Sequence, residues 1–142
     1  MNYSRRDVAF LLPALAPARA EAQKTATAGP APSRCYRYED LPVKNSGGNR
    51  TLAVLDGRTH TGYHFDIHET ELGPGLAPHP PHHHEHEEMI MIREGALEVT
   101  IAGKSTTLGP GSVAYVASNE EHGWRNTGTG RASYFVMAFG RP

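Results

Sequence analysis

The chain has 142 residues, 14 basic and 15 acidic side chains, and a formal net charge of −1 at pH 7. This length suits one compact domain rather than two, and a domain of this size buries a core without disulfides. The balanced charge excludes a protein that binds nucleic acid through a basic face. Eleven prolines and fifteen glycines, with few apolar patterns of helical period, favour short strands joined by turns.

The N-terminus has the order of an export signal. The pair Arg5-Arg6 precedes an apolar run at 8–18, which is followed by a small-residue cleavage pattern at 18–20. The run is eleven residues long with two internal prolines, so it is too short to span a bilayer. The paired arginines are typical of a twin-arginine leader.

These features divide the chain into three parts. We expect residues 1–20 to be a signal peptide, 21–33 to be a flexible linker and 34–142 to be a single folded domain. The mature protein would then be exported, to the periplasm of a bacterium, without a membrane attachment. The alternative is that the first residues form a disordered arm. Cys35 is the only cysteine, so no internal disulfide is expected.

From about Arg34 onward, strand patterns follow one another closely. Along 61–72 the alternation places apolar side chains on one face and His64, Asp66 and His68 on the other, which we interpret as a solvated surface. Glu94-Gly95 predicts a tight hairpin between the strands on either side. The predicted strands are Thr51–Leu55, Thr61–Leu72, Glu88–Arg93, Ala96–Ile101, Ser105–Leu108, Ser112–Val116, His122–Asn126 and Ala132–Phe139. They predict an all-β sandwich or barrel.

A histidine-rich run precedes the third of these strands. It contains His79, His82, His83, His84 and His86, interleaved with glutamates. Taken alone, such a run is consistent with a solvated loop that binds metal ions weakly. A more specific interpretation needs residues outside the run.

Two spaced motifs supply those residues. The first contains His82, His84, Glu88 and Gly95, and the second contains Gly111, His122 and Asn126. With these spacings the sequence resembles the cupin superfamily, whose motifs run G-x5-H-x-H-x3–4-E-x6-G and G-x5-P-x-G-x2-H-x3-N. The resemblance is to small single-barrel bacterial cupins and covers about residues 50–140.

The chain departs from these motifs at three positions. Gly75, which corresponds to the leading glycine of the first motif, lies one residue too early. In the second motif, Ala117 and Asn119 replace the proline and the glycine. These departures concern the geometry of turns and leave the metal-ligating residue types in place.

The resemblance implies a double-stranded β-helix, the jelly-roll barrel of cupins, with a homodimer as in many of them. It also implies that His82, His84, Glu88 and His122 hold one divalent metal ion. Strand geometry agrees, because side chains two residues apart share a face, so His82 and His84 point the same way. His122 joins them only if the sheet closes on itself.

Three imidazoles and a carboxylate favour a divalent transition metal: Fe, Mn, Ni, Cu or Zn. Four protein ligands leave two positions open on a metal that prefers six, so the site would be reactive rather than purely structural. We expect a small molecule as ligand or substrate, captured through two of its oxygens.

Strand parity predicts the lining of the pocket. Ile90 and Ile92 share parity with Glu88, and Trp124 shares parity with His122, so these residues are predicted to line a mostly apolar pocket. Trp124 would equally suit the core. Two functions follow. One is a metal-dependent enzyme, an oxygenase or a lyase or isomerase, in which Glu88 also serves as base. The other is a non-catalytic module that binds a metal or a small ligand.

Overall fold

The computed structural model describes residues 29–140, so the predicted signal peptide and most of the predicted linker lie outside the described residues. One short 3-10 helix (Tyr38–Asp40) precedes nine strands. The strands are β1 (Val43–Ser46), β2 (Asn49–Arg58), β3 (His64–Leu72), β4 (Glu87–Glu94), β5 (Leu97–Ile101), β6 (Lys104–Leu108), β7 (Val113–Val116), β8 (His122–Asn126) and β9 (Ala132–Phe139). Within the described residues, no helix is long and apolar enough to cross a membrane.

The strands form two antiparallel sheets. The larger has the order β1-β2-β3-β9-β4-β7, and the smaller has the order β6-β5-β8. The all-β jelly-roll prediction is confirmed, and each of the eight predicted strands corresponds to a strand of the structure. Strand β1 and the 3-10 helix were not predicted. The four residues of β1 are all exposed and show no clear alternation of polar and apolar side chains.

The predicted hairpin at Glu94-Gly95 is wrong. Strand β4 pairs with β7 and β9, and β5 pairs with β6 and β8, so the strands beside this turn lie in different sheets. The turn is a corner that carries the chain from the larger sheet to the smaller. Gly95 has a φ of 77°, which favours glycine at this corner.

The core lies between the two sheets. Alternate residues of β3, β9 and β4 face inward, as the register shows by pairing Thr70 with Tyr134 and Tyr134 with Ile92. The buried cluster consists of Leu72, Ile90, Ile92, Leu97, Val99, Trp124, Ala132, Tyr134 and Val136. Polar residues replace apolar ones at the end of the same inward face, toward the start of β3 and β4. The candidate site lies where the inward face changes from apolar to polar residues.

Candidate metal centre

A backbone bridge joins the two motifs. The His82 amide donates to the His122 carbonyl over 3.0 Å, and the His122 amide donates to the His82 carbonyl over 2.9 Å. Gly123, which follows His122, approaches Pro81 so closely that a Cβ there would lie 3.2 Å from the proline ring. The histidine-rich run is therefore fixed against β8, although 40 residues separate the paired histidines along the chain.

The predicted ligand side chains lie together beside this bridge. The Nε2 atom of His84 lies 3.0 Å from Oε2 of Glu88, and Nε2 of His122 lies 3.5 Å from the same oxygen. The ring centroid of His82 is 5.0 Å from that of His84 and 4.6 Å from that of His122. His82, His84 and His122 each offer a ligand atom within 4.8 Å of the others. The structure thus brings all four predicted residues into one cluster.

Backbone carbonyls orient two of the imidazoles. The Nδ1 atom of His84 donates to the His86 carbonyl, and Nδ1 of His122 donates to the Glu120 carbonyl, both over 2.8 Å. With the proton on Nδ1, the lone pair of each ring is on Nε2 and faces Glu88. Such carbonyl contacts are the usual way in which proteins fix the tautomer of a metal-ligating histidine.

The donor set fits a cation. When both rings are neutral, two imidazole lone pairs and a carboxylate oxygen face each other, and this arrangement is unfavourable unless a proton or a metal ion lies between them. Buried ring atoms support the same conclusion, since His82 Nδ1 and His122 Nε2 lack any hydrogen-bond partner in the described residues. Buried polar groups are nearly always satisfied, so these atoms indicate a ligand. The cluster is therefore able to hold a divalent ion.

His86 lies closer to the cluster than the sequence indicated. The motifs leave it outside the predicted ligand set, but its ring stacks on that of His84, with centroids 3.5 Å apart. His84, His86 and Glu88 form a second group of donors within 4.8 Å of one another. Its parity with His84 was the signal for this position, but only the folded chain shows that the two rings stack.

Acidification is expected to destabilise the metal-free protein. Burial, followed by the charges of neighbouring histidines, lowers the pKa of His82 and His86 below the ordinary value of 6.5. Below about pH 6.5 the unfolded chain therefore binds protons that the folded chain does not, so the free energy of unfolding falls. Urea denaturation across this range, in the presence of a chelator, measures the effect. His82→Gln should reduce the pH dependence, and an unchanged dependence would contradict this origin.

Asn119 stands where the family's motif has a glycine, and its backbone adopts a conformation that glycine favours. Its φ is 62°, in the left-handed region that glycine and asparagine tolerate best. Its amide donates to the His84 carbonyl over 2.7 Å, so this turn also holds the histidine-rich run in place. Asparagine at this position is therefore compatible with the left-handed conformation of the turn.

The left-handed conformation gives a prediction for Asn119. Asn119→Gly should leave stability about unchanged, whereas Asn119→Val should cost about 1–2 kcal/mol, because a β-branched residue is strained at this φ. Urea denaturation of both variants measures the difference. Equal stability of the two would show that the turn adopts another conformation in solution.

Asn126 is the last residue of the second motif, and it forms hydrogen bonds with the segment in which the first motif begins. Its side-chain amide donates to the carbonyls of Leu72, Gly73 and Gly130 over 2.8–3.1 Å. Its own carbonyl accepts from the Gly75 amide, so the displaced glycine of the first motif still contacts the second motif. Asn126 is 1 % exposed and has a structural role.

A cavity of about 590 Å³ extends from the cluster. Of the predicted lining residues, Trp124 lines this cavity, and its indole nitrogen donates to the Tyr134 hydroxyl over 2.7 Å. Ile90 and Ile92 lie in the core, at 0 % and 1 % exposure, and are not among the residues that line the cavity. Their side chains are on the same face of β4 as that of Glu88, but they pack between the two sheets in the core and do not reach the cavity.

The start of β3 supplies a polar side of the cavity. His64, Asp66 and His68 all line it, together with the cluster residues His82 and His84. The predicted solvated surface is confirmed for His64, which is exposed, but this face of β3 also borders the cavity, and His68 is only half-buried there. An alternating strand shows which residues share a face, but it does not distinguish open solvent from a water-filled cavity. The lining is mostly apolar, as predicted, and its polar groups are concentrated on the β3 side and at the clustered histidines.

Comparisons with known proteins agree with this architecture. L-ectoine synthase of Bordetella parapertussis is 38 % identical over 63 residues, which are 43 % of this chain and 47 % of that protein. The chain thus matches about half the length of this curated relative. An RmlC-like cupin from Shewanella frigidimarina has a TM-score of 0.67 at 14 % identity, over 78 % of this chain and 93 % of that one. KdgF from a Halomonas species has a TM-score of 0.66 at 17 % identity, over 78 % and 96 %.

At sequence identities of 14 % and 17 %, the similarities to these two solved structures show the fold alone. The family is shown by the sequence, because a family model described as the cupin domain matches residues 68–138, which is half of the chain. The matched range contains both spaced motifs and the four clustered side chains. The chain belongs to the cupin family.

Proposed function

We propose that this cupin is a divalent-metal-dependent enzyme that acts on a small polar organic molecule. The observation that carries the proposal is the convergence of His82, His84, His122 and Glu88, three of which, all but His122, line a cavity of about 590 Å³. A closed structural site would have no adjoining space for a ligand. The similarity to a protein named L-ectoine synthase, an enzyme, supports a catalytic role.

In this proposal each part of the cluster has its own task. His82, His84, His122 and Glu88 would hold the ion, and the carbonyl contacts of His84 and His122 keep the lone pairs of those two rings on the side of Glu88. A divalent ion there would supply Lewis-acid polarisation of a substrate oxygen. Because Glu88 is only 7 % exposed and its carboxylate faces two histidines, its first task is ligation, and a role as base would come second.

The remaining walls give the cavity a fixed shape. The Trp124 ring stacks on His122 at 5.7 Å between centroids, and its hydrogen bond to Tyr134 holds it in place. Burial raises the pKa of the Tyr134 hydroxyl far above its usual value, so this group stays protonated. A rigid aromatic wall beside the cluster would exclude water from one side of a bound molecule.

The polar side of the cavity favours a non-redox reaction over oxygenation. His68 and His64 are each hydrogen-bonded to a carboxylate, Asp66 and Asp56 respectively. Histidine–carboxylate pairs are suited to proton transfer, which lyases and isomerases need. The homodimer and export to the periplasm remain part of the proposal as predictions from the sequence.

Metal analysis of natively purified protein tests the proposal. We expect one divalent ion per chain after purification or after reconstitution with Mn²⁺, Zn²⁺, Fe²⁺, Ni²⁺ or Cu²⁺, measured by mass spectrometry of the metals. An oxygen electrode then separates the reaction classes. Oxygen consumption by the iron-loaded protein with small organic acids would favour an oxygenase, and failure to bind any ion stoichiometrically would overturn the proposal.

A further inference from the structure

Two histidine–aspartate pairs lie on the β3 side of the cavity, away from the clustered ligands. In one pair, Nδ1 of His68 lies 2.6 Å from Oδ1 of Asp66. In the other, Nε2 of His64 lies 2.8 Å from Oδ1 of Asp56. His64, Asp66 and His68 all line the cavity. Neither pair belongs to the groups of donors that could hold a metal ion among the described residues.

The strand register places these pairs near the cluster. Asp66 pairs with Ala138 on β9, and Ala138 pairs with Glu88 on β4, so the three residues form one row across the sheet. Two interstrand spacings amount to about 10 Å between the outer backbones of the row. The only side chain between Asp66 and Glu88 in this row is the methyl group of Ala138, which also lines the cavity. A small molecule bound at the cluster would therefore reach the β3 side.

Of the two histidines, His68 is better placed for chemistry. Its side chain is 29 % exposed, compared with 46 % for His64, so it is more sheltered from bulk water. The hydrogen bond to Asp66 uses Nδ1 as donor and leaves Nε2 free for a ligand, since the His68 side chain forms no other hydrogen bond within residues 29–140. A carboxylate on one ring nitrogen orients the imidazole and stabilises its charged form.

We propose that His68 is the proton-transfer residue of this cavity and that Asp66 positions it, for small 2-oxo carboxylates bound at the cluster. The proposal rests on the proposed function. A 2-oxo carboxylate carries two adjacent oxygens, which suit an ion that retains open positions beside four protein ligands. Its carbonyl group also acidifies the neighbouring C–H bond, and this bond is the one that a base on the β3 side would attack.

The proposed step is a reversible proton transfer. The Nε2 atom of neutral His68 takes a proton from the carbon next to the carbonyl, and the C–H bonding electrons move into the carbonyl group to give an enolate. The imidazolium formed is paired with the Asp66 carboxylate. The proton then returns to the same carbon, or it passes to a hydroxyl on the next carbon. In the second case the carbonyl re-forms, the enolate π electrons make a double bond to that next carbon, the C–O bond breaks and water is released. No oxidant or reductant is consumed in either outcome.

The tautomer of His68 can be measured in the metal-free protein. Long-range ¹H–¹⁵N NMR of histidine-labelled protein should show that the neutral His68 ring carries its proton on Nδ1 and not on Nε2. In Asp66→Ala the proton should move to Nε2, the form that free histidine prefers. A His68 that carries its proton on Nε2 in the unmodified chain would overturn the positioning role of Asp66.

The proton transfer itself is tested by solvent exchange. Metal-loaded protein in D₂O is mixed with pyruvate or 2-oxobutyrate, and loss of the C3 proton signal is followed by NMR. His68→Gln should slow the exchange by about 10²–10⁴-fold, the usual contribution of a general base, at an unchanged half-saturating concentration. Metal content should stay at one ion per chain. The matched control is His60→Gln, an exposed histidine outside the cavity, which should exchange at the original rate.

The outcomes separate this inference from the proposed function. Exchange by the unmodified protein that persists in His68→Gln overturns the role of His68 and favours Glu88 as base. Tight metal and pyruvate binding without exchange overturns proton transfer but leaves a metal-dependent binding protein. Absence of stoichiometric metal overturns the proposed function and the inference with it. Exchange that is lost in His68→Gln and restored in His68→Ala by added imidazole supports both.

Discussion

His84→Ala is expected to abolish stoichiometric binding of divalent metal, whereas His83→Ala should retain it. The Nε2 atom of His84 lies 3.0 Å from Glu88, and its Nδ1 is fixed by a backbone carbonyl, so its lone pair is already directed at the site. His83, between two clustered residues, is exposed and belongs to neither group of donors. Loss of a direct ligand should weaken binding by more than the about 10–100-fold typical of an outer-shell contact.

Isothermal titration with Zn²⁺ and metal analysis after dialysis measure both variants. Equal loss in His83→Ala and His84→Ala would show that the run binds metal as a solvated loop, the alternative that the histidine-rich composition allows. His86→Ala and His122→Ala distinguish the two groups of donors. If the ion uses His82, His84, His122 and Glu88, then His122→Ala loses it and His86→Ala does not.

The sequence was sufficient to predict that His82, His84, Glu88 and His122 meet, although not that His86 joins them, because two kinds of information agree on those four. The motif spacing identifies the residue types, and strand parity places His82 and His84 on one face. The position of His122 could be predicted only by assuming that the strands close into a barrel. In the structure, the pairing of β8 with the histidine-rich run brings His122 to 3.5 Å from Glu88. Parity also placed Ile90 and Ile92 correctly on the inward face.

The burial depth of individual side chains and the pairing of strands could not be predicted in the same way. Ile90 and Ile92 are buried because the two sheets pack closely at that level, and strand parity contains no information about sheet separation. The turn at Glu94-Gly95 was recognisable, but turn residues do not specify whether the flanking strands pair with each other. His68 was assigned to a solvated face for a related reason, because polar alternation looks the same on an outer surface and on the wall of a cavity.

Gly95→Ala is expected to be among the most destabilising single substitutions in the described part of the chain. A Cβ at this position would lie 2.7 Å from both the Cα and the Cβ of Ala132 and 2.8 Å from the Arg131 carbonyl. These are mostly backbone atoms of the first residues of β9 and its preceding loop, so they cannot move aside cheaply. The φ of 77° adds strain of about 1–2 kcal/mol, and overpacking adds about 1–3 kcal/mol.

Gly103→Ala provides a matched control for this prediction. Gly103 has a φ of 75°, almost that of Gly95, but a Cβ there would meet nothing within 4 Å. The control should therefore lose only the about 1–2 kcal/mol of conformational strain, and the excess loss in Gly95→Ala measures the contact with Ala132. Urea denaturation of the metal-free variants gives both free energies. If the two losses were equal, the corner at Gly95 would be looser than described, and the family's glycine there would be required for its φ alone.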